Sequence, residues 1–110
     1  MLIKDIMTNQ YHLMNHTDTL ENHYESVYAG DLLSVVMRSA SKGCILISVI
    51  SNLNTIAVAV LLEIPAIIIT ENQEVSQAMI DRADKESIAL IATSLKTHEV
   101  IIDLKDRGCL

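Results

Sequence analysis

The sequence predicts a single α/β domain with a mostly parallel sheet of about four to five strands flanked by helices. The main reason is that the last two thirds of the chain alternates short apolar runs with helical patterns, joined by short polar links. The second reason is size, because 110 residues, half of them hydrophobic, suit one core. Residues 1–110 are therefore taken as one domain, with a less regular segment over 1–25 and an α/β core over 26–110.

The first 25 residues carry the weakest patterns. LIKDIM predicts a short helical turn, YHLMN a short edge strand and TDTLENHYE a loop. Residues 26–29 then predict the first strand of the core. Asp31 is placed to cap a helix with an apolar face that ends at Gly43.

Residues 43–50 form a continuous apolar run that predicts a buried strand. In the SNLN segment that follows, Asn52 or Asn54 can cap a helix over residues 55–63, which Pro65 stops. This helix, TIAVAVLLE, is apolar on nearly every side. We therefore expect the sheet to cover one side of it and a second surface to cover the other.

The next unit repeats the alternation of strand and helix. Residues 66–70, rich in β-branched isoleucine, predict the second strand of this series. Residues 74–85 predict an amphipathic helix, since apolar residues recur there at four-residue spacing. The residues with that spacing are Val75, Met79 and Ala83.

The last unit consists of a strand over residues 88–92 and a terminal helix. Thr93 or Ser94 is placed to cap that helix, and Gly108 marks its end. Three apolar residues are expected to face inward: Val100, Ile101 and Leu104.

Composition excludes several classes of function. The formal net charge is −6, with 8 basic residues scattered among 14 acidic ones, and Phe and Trp are absent. Nucleic-acid sites depend on clustered cations and aromatic stacking, so we expect no nucleic-acid partner. No stretch reaches the roughly 20 apolar residues that span a bilayer, and the amino terminus does not resemble a signal peptide. We expect a cytoplasmic protein that does not enter a membrane.

Cysteine and histidine do not form a metal-binding pattern. Cys44 and Cys109 are read as free thiols of a reducing compartment. His12 and His16 lack nearby cysteine or carboxylate support and are read as ordinary surface or packed residues. We therefore expect no metal and no cofactor.

Motifs for catalysis are also missing. The chain contains no P-loop, no G-x-G-x-x-G turn and no G-x-S-x-G elbow. Carboxylate pairs such as Asp81 with Asp84 are read as solvated helix faces. We expect no catalytic residues and no enzyme.

Three polar stretches, AGD, SNLN and TENQ, lie at the predicted strand-to-helix junctions. Ligands of open α/β sheets bind at this edge, and free N–H groups at helix starts favour anions. Capping of the following helices explains the same residues without any ligand. Both interpretations remain open for the candidate ligand-binding residues, which are Asp31, Asn52, Asn54, Thr70 and Asn72.

Three longer motifs resemble the DRTGG domain: YAGDLLSVVM, ILISVISNLNTIAVAVLLEIPAIIITENQEV and IALIATSLKTHEV. The resemblance covers essentially the whole chain and is clearest over residues 28–100. Residues 30–37 match the family's helix start, and residues 54–59 match its N-x-x-A-V-A helix. Residues 67–70 match the strand that precedes its Gly-Gly turn, and residues 93–100 match its terminal helix.

The resemblance implies a small α/β domain similar to the N-terminal domain of HPr kinase/phosphorylase. Such domains are usually joined to other modules, such as CBS pairs in nucleotide-regulated pyrophosphatases, with a regulatory and interface-forming role. We therefore expect a non-enzymatic regulatory or interaction module that forms a homodimer. It would act with a partner protein, such as a kinase, a CBS-domain protein or a metabolic enzyme. The alternative is a sensor of an adenine nucleotide or another metabolite.

The chain departs from the family pattern at two of the junctions. Glu71 and Asn72 stand where the family commonly has Gly-Gly, and SNLN stands in place of Thr-His-Pro-Asn. Glycine reaches positive φ without strain and asparagine does so moderately well, whereas glutamate does not. We expect Thr70 and Asn72 mainly to shape the turn between strand and helix.

Overall fold

Five strands form one mixed sheet in the order β1-β5-β4-β3-β2. The computed structural model describes all residues from 1 to 110. The edge strand β1 is antiparallel to β5, and the other four strands are mutually parallel. The strands are β1 (Tyr11–Leu13), β2 (Ser26–Ala29), β3 (Cys44–Ser48), β4 (Ala66–Ile69) and β5 (Ala89–Thr93). This confirms the predicted α/β class and the short edge strand near the amino terminus.

Four helices follow strands β2 to β5 in turn. They are α1 (Leu33–Ser39), α2 (Leu53–Leu61), α3 (Gln77–Lys85) and α4 (Thr97–Asp106). The crossovers through α1, α2 and α3 all step in the same direction across the sheet. Because such crossovers are right-handed, these three helices share one face of the sheet. Two short 3₁₀ turns, Ile3–Ile6 and Thr17–Glu21, lie in the amino-terminal segment, the second within the predicted loop.

The central strands are buried on both faces, which explains their continuous apolar runs. Every residue of β3 and β4 is buried. Alternate side chains point to opposite faces, so Ile45 and Ile47 join one core cluster while Cys44 and Leu46 join the other. The sheet therefore separates two apolar cores of similar size.

The core that contains Ile45 and Ile47 is closed by α4 and the amino-terminal segment, and a polar cluster joins these two parts of the chain. The Tyr11 hydroxyl donates to Asp103 Oδ2 at 2.6 Å, and Arg107 pairs with the same carboxylate at 2.8 Å. Arg107 also donates to the carbonyl of Ile6 at 2.8 Å. This cluster holds α4 against β1 and the first 3₁₀ turn.

Two predicted helix caps are wrong, because tertiary hydrogen bonds take the side chains. Leu32, and not Asp31, occupies the N-cap position of α1, and no side chain caps that helix. Thr93 belongs to β5, and its hydroxyl donates to the carbonyl of Gln10 at 2.7 Å, joining β5 to β1. Lys96 is the N-cap of α4, so neither Thr93 nor Ser94 caps this helix, and the Glu99 carboxylate accepts from the Lys96 N–H at 2.9 Å.

Helix α3 also begins later than predicted. Ser76 is its N-cap, and the Ser76 hydroxyl oxygen accepts from the Met79 N–H at 3.2 Å. The predicted start at Glu74 therefore lies in extended chain before the helix. Val75 is half-buried there and packs against the core from outside the helix.

Three helices end in a residue with positive φ. These residues are Glu63 (φ 55°) after α2, Ser87 (φ 56°) after α3 and Gly108 (φ 76°) after α4. In each case the N–H of the next residue donates to the carbonyl of the residue five positions before it, as the Ile64 N–H does to the Ala59 carbonyl at 2.9 Å. Only the last of the three uses the glycine that this geometry favours, as predicted at Gly108.

The second surface that the sequence predicts for α2 is not supplied by this chain. Buried residues of α2 face the sheet, whereas Leu53, Ala57 and Leu61 are exposed on its outward side. Leu61 is 70% exposed and Leu53 is 47% exposed. No helix of the fold is both long enough and apolar enough to cross a membrane.

Candidate functional site

The predicted site residues all lie near the carboxyl edge of the parallel strands, where the sheet topology brings successive junctions together. The β3–α2 and β4–α3 junctions touch directly, because the Ser51 hydroxyl donates to the carbonyl of Glu74. Ser51 also contacts the sulfur of Met79 at 3.6 Å. The five candidate residues nevertheless have separate surroundings at this edge.

Asp31 links the ends of two neighbouring strands. Its Oδ1 accepts from the Ser48 hydroxyl and from the Val49 N–H, both at 2.9 Å. The Gly30 N–H donates to the carbonyl of Ile47 at 3.0 Å, which continues the β2–β3 ladder and sets Asp31 beside Ser48. Since Ser48 is fully buried, the carboxylate supplies an acceptor that its hydroxyl needs.

Glu71 and Asn72 form a left-handed turn after β4, with φ of 64° and 55°. The Glu71 N–H donates to the carbonyl of Leu95 at 2.9 Å, and the Asn72 N–H donates to that of Thr93 at 3.0 Å. These bonds to the β5–α4 junction hold a conformation that glutamate does not favour. The two N–H groups that a ligand would use here are therefore already bonded to protein carbonyls.

Thr70 is fully buried beneath this turn. Its hydroxyl shares a hydrogen bond with that of Thr97 at 2.9 Å, and its N–H donates to the carbonyl of Ser48 at 3.0 Å. Thr70 thus joins β4 to the start of α4 and to the end of β3. This arrangement agrees with a role in shaping the turn.

Asn52 and Asn54 are the two candidates that share an open surface. Asn52 is the N-cap of α2, as predicted, and its Oδ1 accepts from the N–H groups of Asn54 at 2.9 Å and Thr55 at 3.4 Å. Asn54 is exposed in the first turn of the helix. Together with Ser51, Leu53 and Ser76 they line a depression of about 440 Å³ between the amino ends of α2 and α3.

The largest cavity lies at the opposite edge of the sheet, where the sequence showed no motif. It measures about 520 Å³ and adjoins the carboxyl ends of α2 and α3. Asn22 lines it and donates to the carbonyls of Pro65 at 3.0 Å and Ser87 at 2.8 Å. The sequence around Asn22 carries no signal of this role, because both of its partners are more than 40 residues away. Its contacts tie the amino-terminal segment to the starts of β4 and β5.

The shifted pKa values of Asp103 and Tyr24 arise from contacts outside the five candidate residues. The Arg107 guanidinium lowers the pKa of Asp103 below its usual value of 3.8, mainly through their hydrogen bond. Burial raises the pKa of Tyr24 to about 12, and its hydroxyl donates to the carbonyl of Cys109 at 2.6 Å. Both shifts have structural partners. No group of three or more His, Cys, Asp or Glu is close enough to hold a metal ion.

A solved structure with the same fold covers most of this chain. It is the CBS and DRTGG domains of the regulatory region of Clostridium perfringens pyrophosphatase, complexed with the activator diadenosine tetraphosphate. The TM-score is 0.75 at 18% sequence identity, over 96% of this chain and 49% of that one. The chain therefore spans about half the length of this structural relative. A search of curated protein sequences gave no significant match.

A family model supplies the sequence-level evidence. The model described as HPr Serine kinase N terminus matches residues 48–106, from the end of β3 to the end of α4. That range is more than half of the chain, and it contains the SNLN and TENQ junctions. The resemblance to the DRTGG domain noted in the sequence is confirmed at the level of the fold. This chain belongs to the HPr Serine kinase N terminus family.

Proposed function

We propose that this chain is a non-enzymatic regulatory and interaction module that forms a homodimer and acts with a partner protein in the cytoplasm. The outward face of α2 is the observation that carries the proposal. Leu53, Asn54, Ala57 and Leu61 are exposed on this helix, and none of them is charged. Contiguous exposed apolar surface is typical of interaction sites, in contrast to single exposed hydrophobic residues.

The family relation supports the regulatory part of this proposal. The pyrophosphatase region that shares the fold is a regulatory region, in which a DRTGG domain is joined to CBS domains. By analogy, the partner of this chain would be a CBS-domain protein, a kinase or a metabolic enzyme. The extensive internal hydrogen bonding of Asp31 and Thr70 also favours a structural role for the carboxyl edge over a catalytic one.

Sedimentation velocity over a wide concentration range tests the homodimer. The monomer has a mass of 12.2 kDa. We expect the weight-average mass to rise toward twice that value as the concentration increases, because association follows mass action. A strict monomer at the highest attainable concentration would contradict the proposal.

A second candidate function is the sensing of a small anionic metabolite, such as an adenine nucleotide. The depression between the amino ends of α2 and α3 supports it, since both helix dipoles favour negative charge there. The structural relative was crystallised with diadenosine tetraphosphate. That compound and simple adenine nucleotides therefore form the panel of ligands to be screened.

Thermal-shift measurements with this panel at millimolar concentration test the sensor. A ligand of the folded state must raise the melting temperature, by an amount that grows with the ratio of its concentration to its Kd. The exposed Asn54 offers a variant, because Asn54→Asp adds a negative charge at the depression and should reduce the response to an anion. If no compound stabilises the wild type, the sensor proposal loses its support.

A further inference from the structure

We propose that the outward face of α2 is covered by α2 of a second copy of this chain. The two helices run antiparallel about a two-fold axis that passes beside Ala57. The inference rests on the proposed function, and it specifies the surface, its occupant and the register.

The exposed apolar residues of α2 are arranged symmetrically. Leu53, Ala57 and Leu61 recur every four residues, so they lie along one side of the helix. A two-fold axis at Ala57 sets Leu53 against the partner's Leu61 and Ala57 against the partner's Ala57. The stripe is therefore complementary to its own image, which an interface between identical copies requires. The small side chain at the crossing lets the helix axes approach to about 8 Å, the short end of the usual range.

The charge distribution also favours this face. The chain carries a formal charge of −6, so most orientations of two copies bring like charges together. Helix α2 has no charged residue between Leu53 and Leu61. The first carboxylate beyond its end, Glu63, is paired with Lys42 at 3.0 Å. Two copies can meet at α2 without opposing unpaired carboxylates from this helix.

A stable dimer buries more surface than α2 alone can supply, so the proposed contact includes α1. A standard interface buries about 800 Å² of each partner, or about one seventh of the 5741 Å² surface of this chain. Helix α2 is only about 14 Å long and does not supply that area alone. Helix α1 packs beside it, and its N-cap residue Leu32 (65%) and its Met37 (48%) are exposed. The proposed two-fold axis sets α1 over the partner's α1, so both residues extend the apolar contact.

The open edge of β2 is the competing surface for a second copy, since unpaired strand edges can extend a sheet. That strand is only four residues long, Ser26–Ala29. Acidic residues flank it on both sides, with Glu25 before it and Asp31 soon after. Antiparallel pairing of two such edges brings these carboxylates near one another, which disfavours the arrangement.

Sedimentation equilibrium of two matched variants tests the assignment. Leu61→Lys places a charge in the proposed contact, and Ile102→Lys places one at an equally apolar exposed site on α4, on the other face of the sheet. We expect Leu61→Lys to raise the dimer Kd at least about tenfold, because the lysine loses water without gaining a partner. Ile102→Lys should leave Kd unchanged. Since both side chains are exposed in the monomer, circular dichroism should show that each variant folds.

Cross-linking with a short bismaleimide distinguishes the two surfaces. Ala57→Cys reports on the α2 contact and Ala29→Cys on the β2 edge, and both alanines are exposed. The native thiols, Cys44 and Cys109, are buried, so the wild type measures the background level of cross-linking. We expect a cross-linked dimer from Ala57→Cys alone.

The possible failures point to different parts of the proposal. A wild-type dimer that tolerates Leu61→Lys, is weakened by Ile102→Lys or cross-links through Ala29→Cys would overturn the α2 assignment and leave the proposed homodimer in place. A wild type that stays monomeric would overturn both.

Discussion

Replacing Glu71 with glycine should stabilise the protein, although it removes a side chain. Glu71 has φ of 64° in the turn after β4. The left-handed conformation costs an L-residue about 1–2 kcal/mol, and glycine avoids that cost. Glycine also has greater conformational entropy in the unfolded chain, which lowers the free energy of unfolding by about 0.5–1 kcal/mol relative to alanine. The difference predicts a net gain of about 0.5–1 kcal/mol in the free energy of unfolding.

The contacts of Glu71 do not offset this gain. Its side chain is exposed, and its carboxylate takes part in no hydrogen bond or ion pair. The bond from its N–H to the carbonyl of Leu95 belongs to the main chain and is retained by glycine. The substitution also removes one negative charge from a chain of net charge −6, which slightly reduces self-repulsion.

Urea unfolding at one fixed protein concentration measures the effect, because association would otherwise change the apparent stability. With an m-value of about 1.5 kcal/mol/M, the midpoint should rise by about 0.3–0.7 M. Glu74→Gly is the matched control, since Glu74 is exposed, precedes α3 and has no positive φ. It should lower stability by about 0.5–1 kcal/mol. A midpoint that falls for Glu71→Gly as it does for Glu74→Gly would refute the reasoning.

Three further predictions concern other parts of the fold. Glu63→Gly, at the left-handed residue after α2, also removes the exposed ion pair with Lys42, so the net gain in stability should be smaller than for Glu71→Gly, up to about 0.5 kcal/mol, measured as a rise in melting temperature. Asp31→Ala should lower the urea-derived stability by about 1–3 kcal/mol, because the buried Ser48 hydroxyl loses its acceptor, and adding Ser48→Ala should recover part of the loss. The Arg107 guanidinium lowers the pKa of Asp103, so this carboxylate stabilises the fold above pH 3.8 and the effect is lost as pH falls through the lower folded-state pKa. Between pH 7 and pH 2, Asp103→Asn should therefore lose less unfolding free energy than the wild type. An acid profile identical to that of the wild type would contradict this assignment.

Local signals explain which elements the sequence predicted well. The bounds of β2 were predicted residue by residue, and the buried strands β3 and β4 were visible as short runs of branched apolar residues. Asn52 was one of the two caps predicted for α2, and it bonds N–H groups only two and three residues further on. Such contacts are contained within one segment, so composition and spacing report them.

The wrong caps had distant partners. Asp31 bonds Ser48, 17 residues away, and Thr93 bonds the carbonyl of Gln10, 83 residues away. Both residue types favour helix caps when only local partners are available. Tertiary hydrogen bonds compete with that preference, and the sequence gives no sign of which will form.

The candidate site shows the same limit. The sequence placed Thr70 and Asn72 at the carboxyl edge, and the structure puts them there. It did not reveal that Thr70 is fully buried against Thr97, or that bonds to the β5–α4 junction hold Glu71 in a left-handed conformation. Whether Asn52 and Asn54 bind a ligand stays a prediction.

The proposed use of the α2 face can be tested most directly by methyl relaxation with a soluble gadolinium chelate. In the monomer the Leu61 side chain is more exposed than that of Ile102, 70% against 55%, so its methyl groups should relax at least as strongly. In a concentrated sample of the wild type, we predict that Leu61 is protected and relaxes much less than Ile102. Relaxation of Leu61 as strong as that of Ile102 would show that no second copy covers α2 and would contradict the account.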